Sequence, residues 1–185
     1  MTVGTEFVTP LDNRSKTVKL ARIGMLLALA VVIHSAEAML PVTVLWFKFG
    51  FANIIGLATL YLFGFWYALF VTVGRVFLGS LLTGLFGSPA FLFSLAGGVA
   101  SIFAMGGVKK VGGGAFSLIG VSIIGAVTHN AAQLFVAYAL IIRNDAVLYL
   151  FPFMLAAALG TGFVNGIAAR RLIHYFEQAQ SFPPH

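Results

Sequence analysis

The stretch IHSAEAMLPVTVLWFKFGFANII, residues 33–55, decides how this chain is read. It leaves an apolar run that carries His34 and Glu37, breaks at Pro41, and re-enters apolar sequence through Lys48 and Asn53. An acid near the end of one membrane helix and a base at the start of the next can face each other across a lumen. The other four acids lie near the chain ends (Glu6, Asp12, Glu177) or in a loop (Asp145), so Glu37 is the one acid whose burial is expected. Residues 33–55 are therefore expected to form one wall of a binding site.

The surrounding chain supports a bilayer setting. Of 185 residues, 60% are hydrophobic and 9% charged, and the mean hydropathy is +1.01. Soluble domains carry roughly 25% charged residues, so an integral membrane protein is expected, with no room for a separate catalytic domain. Cysteine is absent, which removes disulfides and thiolate metal sites. The net charge of +6 is not a nucleic-acid footprint, because the basic residues sit at the ends of apolar runs. Residues 1–19 are polar and lack a short apolar core with a small-residue cleavage pattern, so they are expected to be a cytoplasmic tail, mostly disordered and turning helical near Ser15.

Apolar runs at 20–40, 49–63, 65–82, 91–107, 116–142 and 147–169 give six expected crossings. The first is long enough for a hydrocarbon core of ~30 Å. The second, at fifteen residues, reaches only about 22 Å as a helix, so it is either a short span or one shielded by its neighbours. Turns are expected at 41–48, 83–90 and 143–146, and a glycine-rich loop at 106–115. The transmembrane domain is thus 20–172, followed by a cytoplasmic tail, 173–185. One set of loops collects Arg14, Lys16, Lys19, Arg22, Lys109, Lys110, Arg170 and Arg171; the other collects Lys48 and Arg143. That asymmetry puts both termini in the cytoplasm of a cell-membrane protein.

Charges inside a bilayer are costly and usually functional. Arg75 lies midway along the third run, as either a structural partner of Glu37 or a cation facing a ligand. With alternating directions, His34, Glu37, Lys48, Asn53, Arg75, His129, Asn130 and Gln133 all fall in the middle-to-outer layer. His129 and Gln133 are four apart and share a helix face. Each also has a bland reading. His34 and His129 can be packed and hydrogen-bonded, Asn53 can cap the second helix, and Lys48 can be an interfacial anchor. Trp46, Phe47, Phe49 and Phe51 form either an interfacial belt or a hydrophobic lid. The inner half holds mainly Asn165 and small hydroxyls. Gly24 and Ala28 repeat at small-xxx-small spacing on one face of the first helix, suited to packing or to docking another membrane protein. Gly97-Gly98 and Gly160/Gly162/Gly166 suit internal packing.

Several chemistries drop out. No GxxxxGK[ST] occurs, since Gly112–Gly114 are followed by Ala-Phe-Ser, so ATP hydrolysis is not expected here. No two carboxylates lie close enough in sequence for a magnesium–diphosphate site, and His34 with Glu37 alone is a poor metal signal. Neither a metal nor another cofactor is expected, and the chain is not expected to be catalytic by itself.

The blocks LLALAVVIHSAEAMLP, FKFGFANIIGLATLYLFG, GRVFLGSLLTGLFGSPAFLFSLAGG and FSLIGVSIIGAVTHNAAQLFVA resemble the Gx transporter family, also labelled heptaprenyl diphosphate synthase component I. That family looks like a branch of the substrate-binding S components of energy-coupling-factor (ECF) transporters. The resemblance covers about residues 18–172. It implies a six-helix S-component bundle with an outward pocket for a vitamin-like, isoprenoid, quinone or flavin-related solute. It also implies a transmembrane coupling subunit docking at Gly24 and Ala28, where glycine replaces the usual first alanine, and two ATPase subunits. The alternatives are an accessory subunit of isoprenoid or quinone biosynthesis, or a structural subunit of a membrane redox complex.

Overall fold

The computed structural model describes residues 10–39, 50–112 and 115–181, and every regular element among them is helical. The elements are α1 (Pro10–Met39), α2 (Ala52–Leu62), α3 (Phe65–Leu82), α4 (Pro89–Val111), α5 (Leu118–Val136) and α6 (Phe151–Ser181). A π-helical turn, Ala137–Ile142, extends α5, and a 3-10 turn, Asp145–Leu150, leads into α6. Local chemistry sets several boundaries. Ser88 Oγ accepts the Phe91 N–H at 3.3 Å with Pro89 in the first turn of α4, and Ser117 Oγ accepts the Gly120 N–H at 3.1 Å to start α5, each supplying an acceptor to an otherwise unpaired donor. Between α2 and α3, Gly64 has φ 95° and ψ 179°, a region open essentially to glycine alone.

Close approaches give the helix directions. A Cβ on Gly74 of α3 would stand 3.1 Å from Leu27 of α1, and one on Gly79 would stand 2.5 Å from His34, so α1 and α3 are parallel. Asn53 and Gly56 of α2 lie beside Arg75 and Thr72 respectively, so α2 runs against α3. Gly98 beside Thr72 and Gly106 beside Phe65 set α4 against α3. Gly97 beside Gln133 and Gly125 beside Met105 set α5 against α4. Gly162 beside Ala126 and Gly166 beside Ile119 set α6 against α5. Leu172 and Phe176 of α6 pack against the core cluster that Ile23 and Leu26 of α1 form with Ala30, Ile55 and Val71, and the alternating directions bring the early part of α1 and the late part of α6 to one end of the bundle. Lys16, Lys19, Arg22, Lys109, Lys110, Arg170 and Arg171 follow from these directions to the same, basic end.

Among the described residues five stretches are long and apolar enough to cross a bilayer: Lys16–Met39, Phe65–Leu82, Pro89–Val111, Leu118–Ile142 and Asp145–Gln178. Their outward faces carry exposed apolar side chains such as Phe70, Leu81, Phe135 and Phe163, the pattern of a multi-pass membrane protein. α2 is different. Its 11 residues make a rod of about 16 Å. It packs on α1, α3, α4, α5 and α6, and most of its residues are buried, including Asn53 and the whole of Ile55–Leu60. The second apolar run is therefore a central core helix, shielded on all sides.

Other boundaries shift from expectation. α1 starts at Pro10, within the stretch expected to be a disordered tail, and α6 continues to Ser181, well into the expected C-terminal tail. The expected glycine-rich loop at 106–115 is helical as far as Val111. Within it the Phe65 ring packs on Gly106, 2.7 Å from where a Cβ would stand.

Candidate functional site

Arg75 is buried in α3 at 3% exposure. Its Nη2 donates to Asn53 Oδ1 of α2 at 2.7 Å, and the Glu37 carboxylate lies within electrostatic reach. Glu37, at the end of α1, accepts the Phe51 N–H through Oε1 at 2.6 Å. Phe51 is the N-cap of α2 and has no side-chain acceptor to offer. A carboxylate from another helix takes that role, where the helix dipole favours negative charge. Glu37 thus joins α1, the start of α2 and the charge of Arg75.

The second half of the layer comes from α5. His129 and Gln133 are buried and lie over Gly97 of α4, where an added Cβ would meet His129 Cε1 at 2.9 Å and Gln133 Cγ at 3.0 Å. One residue on, a Cβ at Gly98 would meet Thr72 Cγ2 at 2.9 Å and Arg75 Nη2 at 3.6 Å. The diglycine is the meeting point of the α3 and α5 polar groups. His34 adjoins from the α1 side, its ring against Gly79.

One predicted residue does not join this group in the same way. Asn130 sits next to His129 in sequence, but its Nδ2 donates to the Met154 carbonyl at 3.0 Å, bracing α5 to α6. Lys48, with Trp46, Phe47 and Phe49, lies outside the described residues. Gly24 and Ala28 are on the exposed outer face of α1, and nothing stands within 4 Å of where a Gly24 Cβ would be.

Asn165 of α6 is the residue that sequence reasoning missed. Expected in the inner half, it is 2% exposed and donates through Nδ2 to the Gly50 carbonyl at 3.1 Å, at the entry to α2. Its only signal in the sequence is a single amide in a long apolar run. Buried polar atoms without a hydrogen-bond partner among the described residues include Asn165 Oδ1, Arg75 Nε, Thr72 Oγ1, Ser101 Oγ, and both ends of the Gln133 amide. A buried donor or acceptor left unpaired costs about 1–3 kcal/mol. Several such atoms, contributed by α3, α4, α5 and α6, make an interior suited to receiving a polar group. A guanidinium, amides and hydroxyls can bind a carboxylate, phosphate or carbonyl oxygen. Among the described residues no three His, Cys, Asp or Glu side chains come together to hold a metal.

A family model described as heptaprenyl diphosphate synthase component I matches residues 26–172, from Leu26 in α1 to Leu172 in α6. No curated protein matches the chain, and no solved structure does.

Proposed function

The chain belongs to the heptaprenyl diphosphate synthase component I family, and we propose that it is a non-catalytic membrane component that holds a small molecule in the Arg75 layer and serves a partner enzyme subunit. The observation that carries this reading is the buried guanidinium of Arg75, bonded to Asn53 through Nη2 and without a hydrogen-bond partner at Nε. Arg75 and Glu37 balance in charge, so the layer suits a zwitterionic head, or an anionic one that competes with Glu37 for Arg75, and the aromatic content suits a ring or isoprenoid body. Prenyl elongation itself needs clustered carboxylates to hold magnesium and diphosphate. Only five acids are present, and of those whose burial is described Glu37 is buried while Asp145 and Glu177 are exposed, so the chemistry belongs to the partner. The collected basic residues support a cytoplasmic basic end in the cell membrane, with six crossings counting α2.

Mass spectrometry of the tagged protein in mild detergent tests this. A prenyl- or ring-bearing compound with a phosphate or carboxylate should co-purify, together with a polyprenyl diphosphate synthase subunit. Gln133→Met removes two unpaired polar atoms at nearly constant volume. It should raise the thermal stability of the ligand-free protein and lower the amount of bound compound at least several-fold. Undiminished compound in Gln133→Met would remove the α5 side of the site.

A second reading, the solute-capturing subunit of an ATP-driven importer, is favoured by one observation: Gly24 and Ala28 present an open small-residue face on α1, where another helix can approach closely. It expects a membrane coupling subunit and two ATPases in the same purification. Gly24→Leu with Ala28→Leu should then abolish their recovery without lowering thermal stability. Intact assembly in that variant would discard the docking role.

A further inference from the structure

At the basic end, away from the Arg75 layer, the start of α3 and the end of α4 enclose a pocket of about 530 Å³. Its floor is apolar: Leu60, Gly64, Phe65, Phe103 and the pair Gly106-Gly107. Phe65 and Phe103 meet edge to face with centroids 5.2 Å apart, and Phe103 is 56% exposed on the outer surface of the bundle. Gly107 leaves the groove open, with nothing within 4 Å of where its Cβ would stand. The rim is cationic, formed by Lys109 and Lys110. Lys109 is held in place: its Nζ donates to the Leu60 carbonyl at 3.0 Å and lies 4.3 Å from the centre of the Tyr61 ring. Lys110 is exposed.

We propose that this pocket is a binding site for an anionic phospholipid of the surrounding bilayer, with one acyl chain along Phe65, Phe103 and Gly107 and the phosphate against Lys109 and Lys110. Charge and position both select this occupant. The apolar floor opens laterally on an outward face of spanning helices, where acyl chains lie. The two ammonium groups belong to the last turn of α4, at the end of a span, where lipid phosphates are expected to lie. Basic pockets between membrane helices recognise anionic head groups in this way, and each lysine contributes on the order of a fivefold preference. The site is separate from the Arg75 layer and does not depend on the ligand held there.

Native mass spectrometry of the full chain released from nanodiscs tests the site. The bilayers are phosphatidylcholine alone or an equal mixture with phosphatidylglycerol. The wild type should retain phosphatidylglycerol in preference to phosphatidylcholine. Lys110→Gln, which leaves the Lys109 brace intact, should lower that preference about fivefold, and Lys109→Gln with Lys110→Gln should abolish it. Gly107→Leu keeps both lysines, fills the groove, and should reduce lipid retention as a whole. Equal retention of the two lipids by wild type, or an unchanged preference in Lys110→Gln, would overturn the proposal. So would displacement of the lipid by inorganic pyrophosphate, which would assign the lysines to a water-soluble phosphate. A partner polypeptide lost from Gly107→Leu while its lipid retention stayed at the wild-type level would give the groove to a protein instead.

Discussion

Arg75→Met should lower the stability of the folded protein by about 3–5 kcal/mol, the cost of leaving a buried countercharge uncompensated. Glu37 is 7% exposed, and the substitution removes the buried cation within its electrostatic reach while leaving its bond to the Phe51 N–H at the start of α2. The double variant Arg75→Met/Glu37→Gln should recover most of the loss. A neutral amide oxygen can still accept the Phe51 N–H, and no charge then remains to be buried. Ligand retention should behave differently. If Arg75 contacts the bound molecule, the double variant regains stability but stays unloaded. Thermal unfolding in detergent and mass spectrometry of the bound compound give the two readouts. A double variant that recovers both would make Arg75 purely a partner of Glu37. One that recovers neither would show that the Asn53 bond, not the charge pair, is what Arg75 maintains.

Gly162→Ala should cost about 1–3 kcal/mol, the usual range for overpacking. A Cβ at Gly162 would stand 2.7 Å from the Cα of Ile123 and 3.2 Å from its backbone nitrogen. Backbone has no rotamer to move into, so α5 and α6 would have to separate. That separation would pull the Asn130 amide from the Met154 carbonyl and shift the helix that carries His129 and Gln133. Gly160→Ala is the internal control. Nothing lies within 4 Å of its Cβ position, so it should be neutral or gain up to ~1 kcal/mol from reduced backbone freedom. Equal thermal shifts for the two variants would remove the close α5–α6 approach as a determinant of stability.

Much of this arrangement is legible from residue type and run length. Apolar runs, interrupted at Gly64 and at 83–88, mark the spanning helices, and the third run coincides with α3, 65–82. Alternating direction was enough to bring Glu37, Asn53, Arg75, His129 and Gln133 to a common depth, because depth depends only on position along each run. Azimuth is harder. His129 and Asn130 are adjacent and polar, yet 100° of helical rotation sends one to α4 and the other to α6. Asn165 lies in a long apolar run with no other amide, and its partner, the Gly50 carbonyl, is 115 residues away in sequence, so no local pattern announces the bond. The cap that Glu37 provides for α2 has a sequence separation of 14 residues, with no local pattern to announce it. The end of α4 differs from its sequence pattern for a related reason: Gly106 and Gly107 resemble loop residues in isolation but lie inside α4, which runs to Val111.

The short central helix has a consequence for how the protein is made. An emerging segment of 11 residues is too brief to be retained in lipid when it leaves the insertion machinery, since about 20 apolar residues are needed for that. Only two residues, Phe63 and Gly64, separate it from α3. α2 therefore enters as the leading arm of a helical hairpin hinged at Gly64, held in by the longer α3 that follows it and sealed from lipid as the later spans arrive. Substituting Gly64 would then reduce the yield of inserted protein more than it alters the protein that does assemble.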